Sequence, residues 1–163
     1  MKPLPSKDEL HKLFEYRDGQ LWWREHRRGR KMDVPAGCLE PNGYIRICIC
    51  GKTRFGAHRL IYAMFFYDPG NLDIDHIDGN RSNNMIENLR AVNRYVNNQN
   101  LRTALSNNKS NLLGVGFSKQ TGKFRSRIII NKKEKYLGLF NTPEEAHSAY
   151  INAKRKHHEG CTI

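Results

Sequence analysis

Acidic residues are scarce in this chain of 163: 16 stand against 28 lysines and arginines, for a formal charge of +12. A soluble domain stays dispersed at much smaller net charge, so an excess of this size points to a polyanionic partner, nucleic acid before an anionic membrane surface. Long apolar runs are missing too. With a mean hydropathy of −0.75, no stretch approaches the roughly 20 apolar residues of a bilayer-spanning helix, so an integral membrane protein is not expected. Residues 1–12 are charged and lack the apolar centre of a secretory signal, and the expected location is the cytoplasm. Cysteine is sparse: Cys38, Cys48, Cys50 and Cys161 form no C-x2-C pairs. No structural zinc is therefore expected, and buried free thiols in a reducing compartment are.

What is present is enough to fold. Hydrophobic residues make up 38% and aromatics 10%, too much for a disordered basic tail. Charge is uneven along the chain: residues 1–101 hold 16 basic and 12 acidic residues, and residues 102–163 hold 12 and 4. Between the two lies a polar stretch, 97–111, poor in large apolar side chains, that reads as a helix end and a linker. The expected class is α+β with three parts: N-terminal hairpins and a central module over 1–101, a linker over 102–111, and a C-terminal unit over 112–163.

In the C-terminal unit, alternation predicts strands over 113–119, 123–130 and 135–140, with turns at 120–122 and 131–134. Thr142-Pro-Glu-Glu145 is a helix start: Thr142 caps, Pro143 suits the first helical position and Glu145 closes a capping box. Ala146, Ala149, Tyr150 and Ala153 then follow at helical spacing. On the second strand Phe124, Ser126, Ile128 and Ile130 share one face, while Lys123, Arg125 and Arg127 share the other. That basic face fits a duplex groove and its phosphates, or else is a solvated sheet edge. The motifs Leu113-Gly-Val115, Gly122-Lys-Phe124, Tyr136-Leu-Gly-Leu-Phe140 and Thr142-Pro-Glu-Glu-Ala146 resemble the ethylene-response-factor (APETALA-type) DNA-binding domain. The resemblance implies a three-stranded sheet backed by one helix, with Lys123, Arg125, Arg127 and Tyr136 facing DNA. It departs along the first strand, where arginines of that family give way to Gly116 and Ser118.

The central stretch carries the chemistry. Residues 57–66 read as a buried helix, 71–76 as a strand, 77–87 as a polar loop and 88–92 as a second strand; Asn93 caps a helix running through Asn97. A hairpin of these strands sets His76 across from Asn88. Asp75 and the amide of Asn97 are hard oxygen donors suited to Mg2+ or Mn2+ with several waters. His76, held by a neighbour such as the Asn88 side chain or backbone carbonyl, can take a proton from water. His58-Arg-Leu60, Asp75-His-Ile-Asp-Gly-Asn80, Asn83-Asn84 and Glu87-Asn-Leu-Arg90 resemble the HNH endonucleases of the phage and intron-encoded homing type. The resemblance implies a ββα-metal fold, one divalent ion on Asp75 and Asn97, His76 as general base, Asn88 orienting it, and double-stranded DNA as substrate. Many HNH nucleases carry His where this chain has Asn97. One site per chain cuts one strand, so double-strand cleavage calls for a homodimer on DNA or two successive nicks.

His58, on an apolar segment, reads as structural, and Arg59 as a phosphate contact or an ion-pair partner. Upstream, 14–23 predicts a hairpin about Asp18-Gly19, and 43–55 another turning at Gly51-Lys52. Between them Arg27, Arg28 and Arg30 sit in a basic loop that can follow a DNA backbone or remain solvated. The function expected is metal-dependent hydrolysis of DNA; the rival is a DNA-binding regulator keeping a nuclease fold.

Overall fold

The structure, a computed structural model, describes residues 3–26, 31–49, 51, 53–104, 108 and 110–163. Arg27, Arg28 and Arg30, expected to contact DNA, lie outside the described residues. The architecture is mixed α+β, with small antiparallel sheets and four α-helices among the described residues. None of these helices is long and apolar enough to cross a membrane. Contacts divide the chain into two compact units, Met1–Arg94 and Tyr95–Ile163.

The first unit opens with α1 (Lys7–Leu13), which the sequence reading did not foresee. Its signal is Ser6-Lys-Asp-Glu9: the Ser6 hydroxyl accepts from the Glu9 amide and the Glu9 carboxylate accepts from the Ser6 amide, a complete capping box. The hairpin of β1 (Phe14–Arg17) and β2 (Gln20–Trp23) turns on Asp18 and Gly19, both at positive φ, as a two-residue turn requires. The strands β3 (Cys38–Leu39), β4 (Ile45–Ile49) and β5 (Thr53–Gly56) form a second sheet in that order. Helix α2 (Ala57–Phe65) follows β5 directly, and seven of its nine residues are buried. A helix apolar on nearly every side must be enclosed. Leu10, Phe14, Leu21, Trp23, Ile47, Ile49, Ile74 and Leu89 join it in one core. The hairpin of β6 (Asp73–His76) and β7 (Leu89–Val92) completes the unit.

One expectation needs correcting. Cys38 and Cys48 are exposed, not buried; on β4 the residues facing the core are Ile47 and Ile49, so alternation turns Cys48 outward with Arg46. Arg59 donates to the carbonyls of Leu72 at 2.7 Å and Gly70 at 2.9 Å, tying α2 to the segment entering β6.

The second unit begins inside α3 (Arg94–Gln99), earlier than the expected boundary after residue 101. The reason is a set of hydrogen bonds to the C-terminal end. Tyr95 Oη accepts from the Asn131 amide at 2.9 Å, Gln99 Oε1 from the Gly160 amide at 2.9 Å, and the Leu101 carbonyl from buried Lys154 Nζ at 2.5 Å. The strands β8 (Val115–Ser118), β9 (Lys123–Ile130) and β10 (Lys133–Phe140) form a sheet with β9 in the middle. Asn131 and Lys132, both at positive φ, make the β9–β10 turn, so β10 starts two residues before the expected 135. Helix α4 (Pro143–His157) starts as the sequence predicts, with Thr142 and Glu145 in a full capping box. It lies on the face of Ser126 and Ile128, both buried.

Candidate active site

Pairing of β6 with β7 sets the site. Asp75 lies opposite Arg90, and His76 opposite Leu89. Asn88 falls one residue before the strand because Ile86–Asn88 take a 3-10 turn; its carbonyl still accepts from the Ile77 amide at 2.9 Å. Alternation sends Ile74 and His76 to one face of the hairpin and Asp73 and Asp75 to the other.

His76 is 3% exposed. Its Nε2 lies 3.0 Å from Asn84 Oδ1, and the amide nitrogen of Asn84, itself 1% exposed, donates to the Ser82 carbonyl at 3.4 Å. The amide oxygen thus faces the imidazole, which makes Nε2 the protonated nitrogen and Nδ1 the basic one. Burial pushes the His76 pKa below the ordinary imidazole value. The Asn84 bond and the charges of Asp78 and Asp75 oppose that shift, and Arg81 adds to it. The net shift is downward and favours the neutral ring, the form a general base needs.

Asn88 does not bond to His76 in the way the sequence suggested. Its Nδ2 donates to Asp78 Oδ1 at 2.9 Å and to the Asn83 carbonyl at 2.8 Å, and its Oδ1 accepts from the Asp78 amide at 2.9 Å. Asp78 also accepts from Asn83 Nδ2 at 2.7 Å and the Asn80 amide at 2.8 Å. Burial raises the Asp78 pKa, but these donors outweigh it and the net shift is downward. Asn88 therefore closes the loop that delivers Asn84 to His76. Asn84 was the site residue missed by sequence reasoning; the double Asn83-Asn84 was its signal.

On the other side of His76 stand two more rings. His58 on α2 and Tyr44 before β4 have centroids 5.3 Å and 6.0 Å from it, and 5.1 Å from each other. A Cβ at residue 56 would lie 2.5 Å from His58 Cε1, so Gly56 is what lets β5 run against this ring. His58 is 9% exposed with its Nδ1 buried and unpartnered. Burial lowers its pKa to about 3, helped by repulsion from His76 once that ring is protonated and from Arg46 and Arg59.

Asp75 is 7% exposed. Its Oδ2 accepts from Arg90 Nε at 3.0 Å and Nη2 at 2.8 Å. Asp73 on the same face pairs with Arg94 at 2.7 Å. Asn97 lies in α3 and is counted with the second unit. No group of three or more His, Cys, Asp or Glu side chains that could hold a metal ion is found among the described residues. The donors expected from the sequence, the Asp75 carboxylate and the Asn97 amide, are oxygens of the kind a hard divalent cation prefers.

Residues 55–99 match the family model of the HNH endonucleases. The matched stretch runs from β5 through α3 and holds Asp75, His76, Asn84, Asn88 and Asn97. It supports a nuclease of the HNH kind, a family that generally uses a divalent metal ion. No curated protein and no solved structure matches the chain. The HNH stretch ends before the second unit's sheet, and the resemblance of 113–150 to the ethylene-response-factor domain finds no support in these comparisons.

In that second sheet Lys123, Arg125 and Arg127 are exposed on the face away from α4, with Tyr136 opposite Arg127 and 60% exposed. A Cβ on Gly116 would sit 3.3 Å from Arg125 Nε, so this guanidinium lies across the glycine. The face is not wholly basic: Arg127 pairs with Glu134 at 2.9 Å.

Proposed function

We propose that this protein is a metal-dependent DNA endonuclease of the homing type. The observation that carries the reading is His76: buried, with its Nε2 3.0 Å from Asn84 Oδ1, within a stretch matching the HNH endonucleases. In the reaction, His76 Nδ1 takes a proton from water as the water oxygen bonds to phosphorus. The phosphorus–oxygen bond to the leaving strand breaks, and that oxygen takes a proton from solvent. Asn84 stabilises the imidazolium so formed through the same Nε2–H bond. Asn88 acts one step removed, by keeping the 78–83 loop closed.

Asp75 and Asn97 would hold one Mg2+ or Mn2+. Such an ion supplies neutralisation of the charge that develops on the phosphate and the leaving oxygen. Lys123, Arg125, Arg127 and Tyr136 would dock the C-terminal sheet on duplex DNA. Arg125 and Lys123 are better placed than Arg127, whose charge Glu134 partly cancels. Two weak contacts on one chain reinforce each other through effective concentration.

Supercoiled-plasmid nicking with Mg2+ or Mn2+ tests the reading, wild type against His76→Ala. Metal-dependent nicking by the wild type alone is expected. Absence of nicking, or equal nicking by the variant, removes the catalytic assignment. One observation favours a second reading, a DNA-binding regulator: two Arg90 donors already occupy Asp75 Oδ2. DNA binding without nicking would be its result.

A further inference from the structure

Arg81 lies on the loop that carries Asn84, five residues beyond His76. Its guanidinium carbon sits over the Tyr44 ring, 5.1 Å from the centroid, and Nη1 donates to the Asn42 carbonyl at 3.0 Å. Its stem runs along Gly43, whose missing side chain would stand 3.6 Å from Arg81 Cβ. The platform is itself fixed. The Tyr44 amide donates to Asn42 Oδ1 at 3.1 Å, and backbone bonds join Glu40 to both Gly43 and Tyr44. Tyr44 in turn packs on the His76 ring.

Among the described residues Arg81 pairs with no carboxylate: its two holds are a carbonyl and an aromatic face. The side chain is exposed. Stacking on an aromatic ring leaves the edge of the guanidinium fork open, and that edge suits two phosphate oxygens. We infer that Arg81 is a phosphate-binding residue of the active site, grasping the DNA backbone beside His76, with Tyr44 as the residue that positions it. The inference rests on the nuclease reading for the identity of the anion and for the place of the phosphate at the cleavage point.

Two measurements on Arg81→Ala test it, with circular dichroism and tryptophan fluorescence to show the fold retained. The first is equilibrium binding to a duplex in EDTA over a range of KCl concentrations. Loss of one phosphate contact should lower the slope of log K against log salt by about 0.9. The second is plasmid nicking, expected to fall by about tenfold or more and to recover in part when guanidinium ion is added. Arg81→Lys should keep the salt slope while nicking more slowly, because an ammonium cannot stack on Tyr44 and fork to a phosphate together. An unchanged slope in Arg81→Ala overturns the inference, as does a lowered slope with undiminished nicking. If the wild type does not nick at all, the nuclease reading falls, and the salt slope still decides whether Arg81 holds a phosphate.

Discussion

Acid should unfold the first unit earlier than its carboxylates alone would dictate, and His58 is the cause. In the unfolded chain this imidazole titrates near 6.5; in the fold its pKa is about 3. Because the folded value is the lower one, the unfolded state binds the extra proton. Above pH 6.5 the group contributes nothing to the pH dependence, and from 6.5 down towards 3 it destabilises the fold progressively. At pH 5 the deficit is about 1.5 pH units, or about 2 kcal/mol, a sizeable share of a small domain's stability. His76, also lowered, adds in the same direction.

Comparison with His58→Leu isolates the His58 part. Leucine suits the helix, matches the ring roughly in size and leaves no buried nitrogen without a partner. Urea unfolding followed by tryptophan fluorescence is selective, since both tryptophans, Trp22 and Trp23, belong to the first unit. The variant should equal or exceed the wild type at pH 7, and its advantage should widen by about 2 kcal/mol at pH 5. Stability curves that run parallel between pH 7 and pH 5 would refute the argument, because they would mean that His58 takes up a proton in the fold as readily as in the unfolded chain.

Other outcomes follow from the same geometry. Asn84→Ala removes the acceptor from a buried imidazole N–H, so nicking should fall sharply while metal-free DNA affinity holds; equal losses in both would make Asn84 a folding residue only. Arg125→Ala should weaken duplex binding and flatten its salt dependence, checked by titration at several KCl concentrations, and a wild-type slope would place the DNA face elsewhere. Gly19→Ala should cost about 1–3 kcal/mol in urea unfolding, because φ is +79° there and a Cβ would stand 2.9 Å from the Met85 amide nitrogen.

Legibility in the sequence followed the range of the forces involved. Turn and cap chemistry acts within four residues, so the Asp18-Gly19 hairpin, the β9 face and the α4 start were readable outright. The same signal at Ser6 and Glu9 marks α1 just as clearly. Asp75 and His76 were found as a motif, but the partner of His76 was not, because Asn84 reaches it through a loop whose curl depends on three side chains bonding at once. A 3-10 turn just before β7 shifted Asn88 by one residue, enough to change which groups it meets. Tyr44 and Arg81 lie 37 positions apart in the chain and meet through packing, which no local pattern records. The helix holding Asn97 is tied at both ends by contacts remote in sequence: Arg94 pairs with Asp73, while Tyr95 and Gln99 accept from amides beyond residue 130.

The tight approach of Gly19 to Asn84 and Met85 bears on how much of the chain the HNH-like stretch needs around it. The β1–β2 turn presses on the backbone of the residue that holds His76, and Tyr16 Oη accepts from the Ile86 amide at 3.1 Å just beyond it. The family match begins at residue 55, yet this buttress lies some 35 residues upstream. Grafted alone onto another DNA-binding protein, residues 55–99 would arrive without the wall against which their loop is cast. On the nuclease reading, a portable module would have to carry β1 and β2 together with residues 55–99.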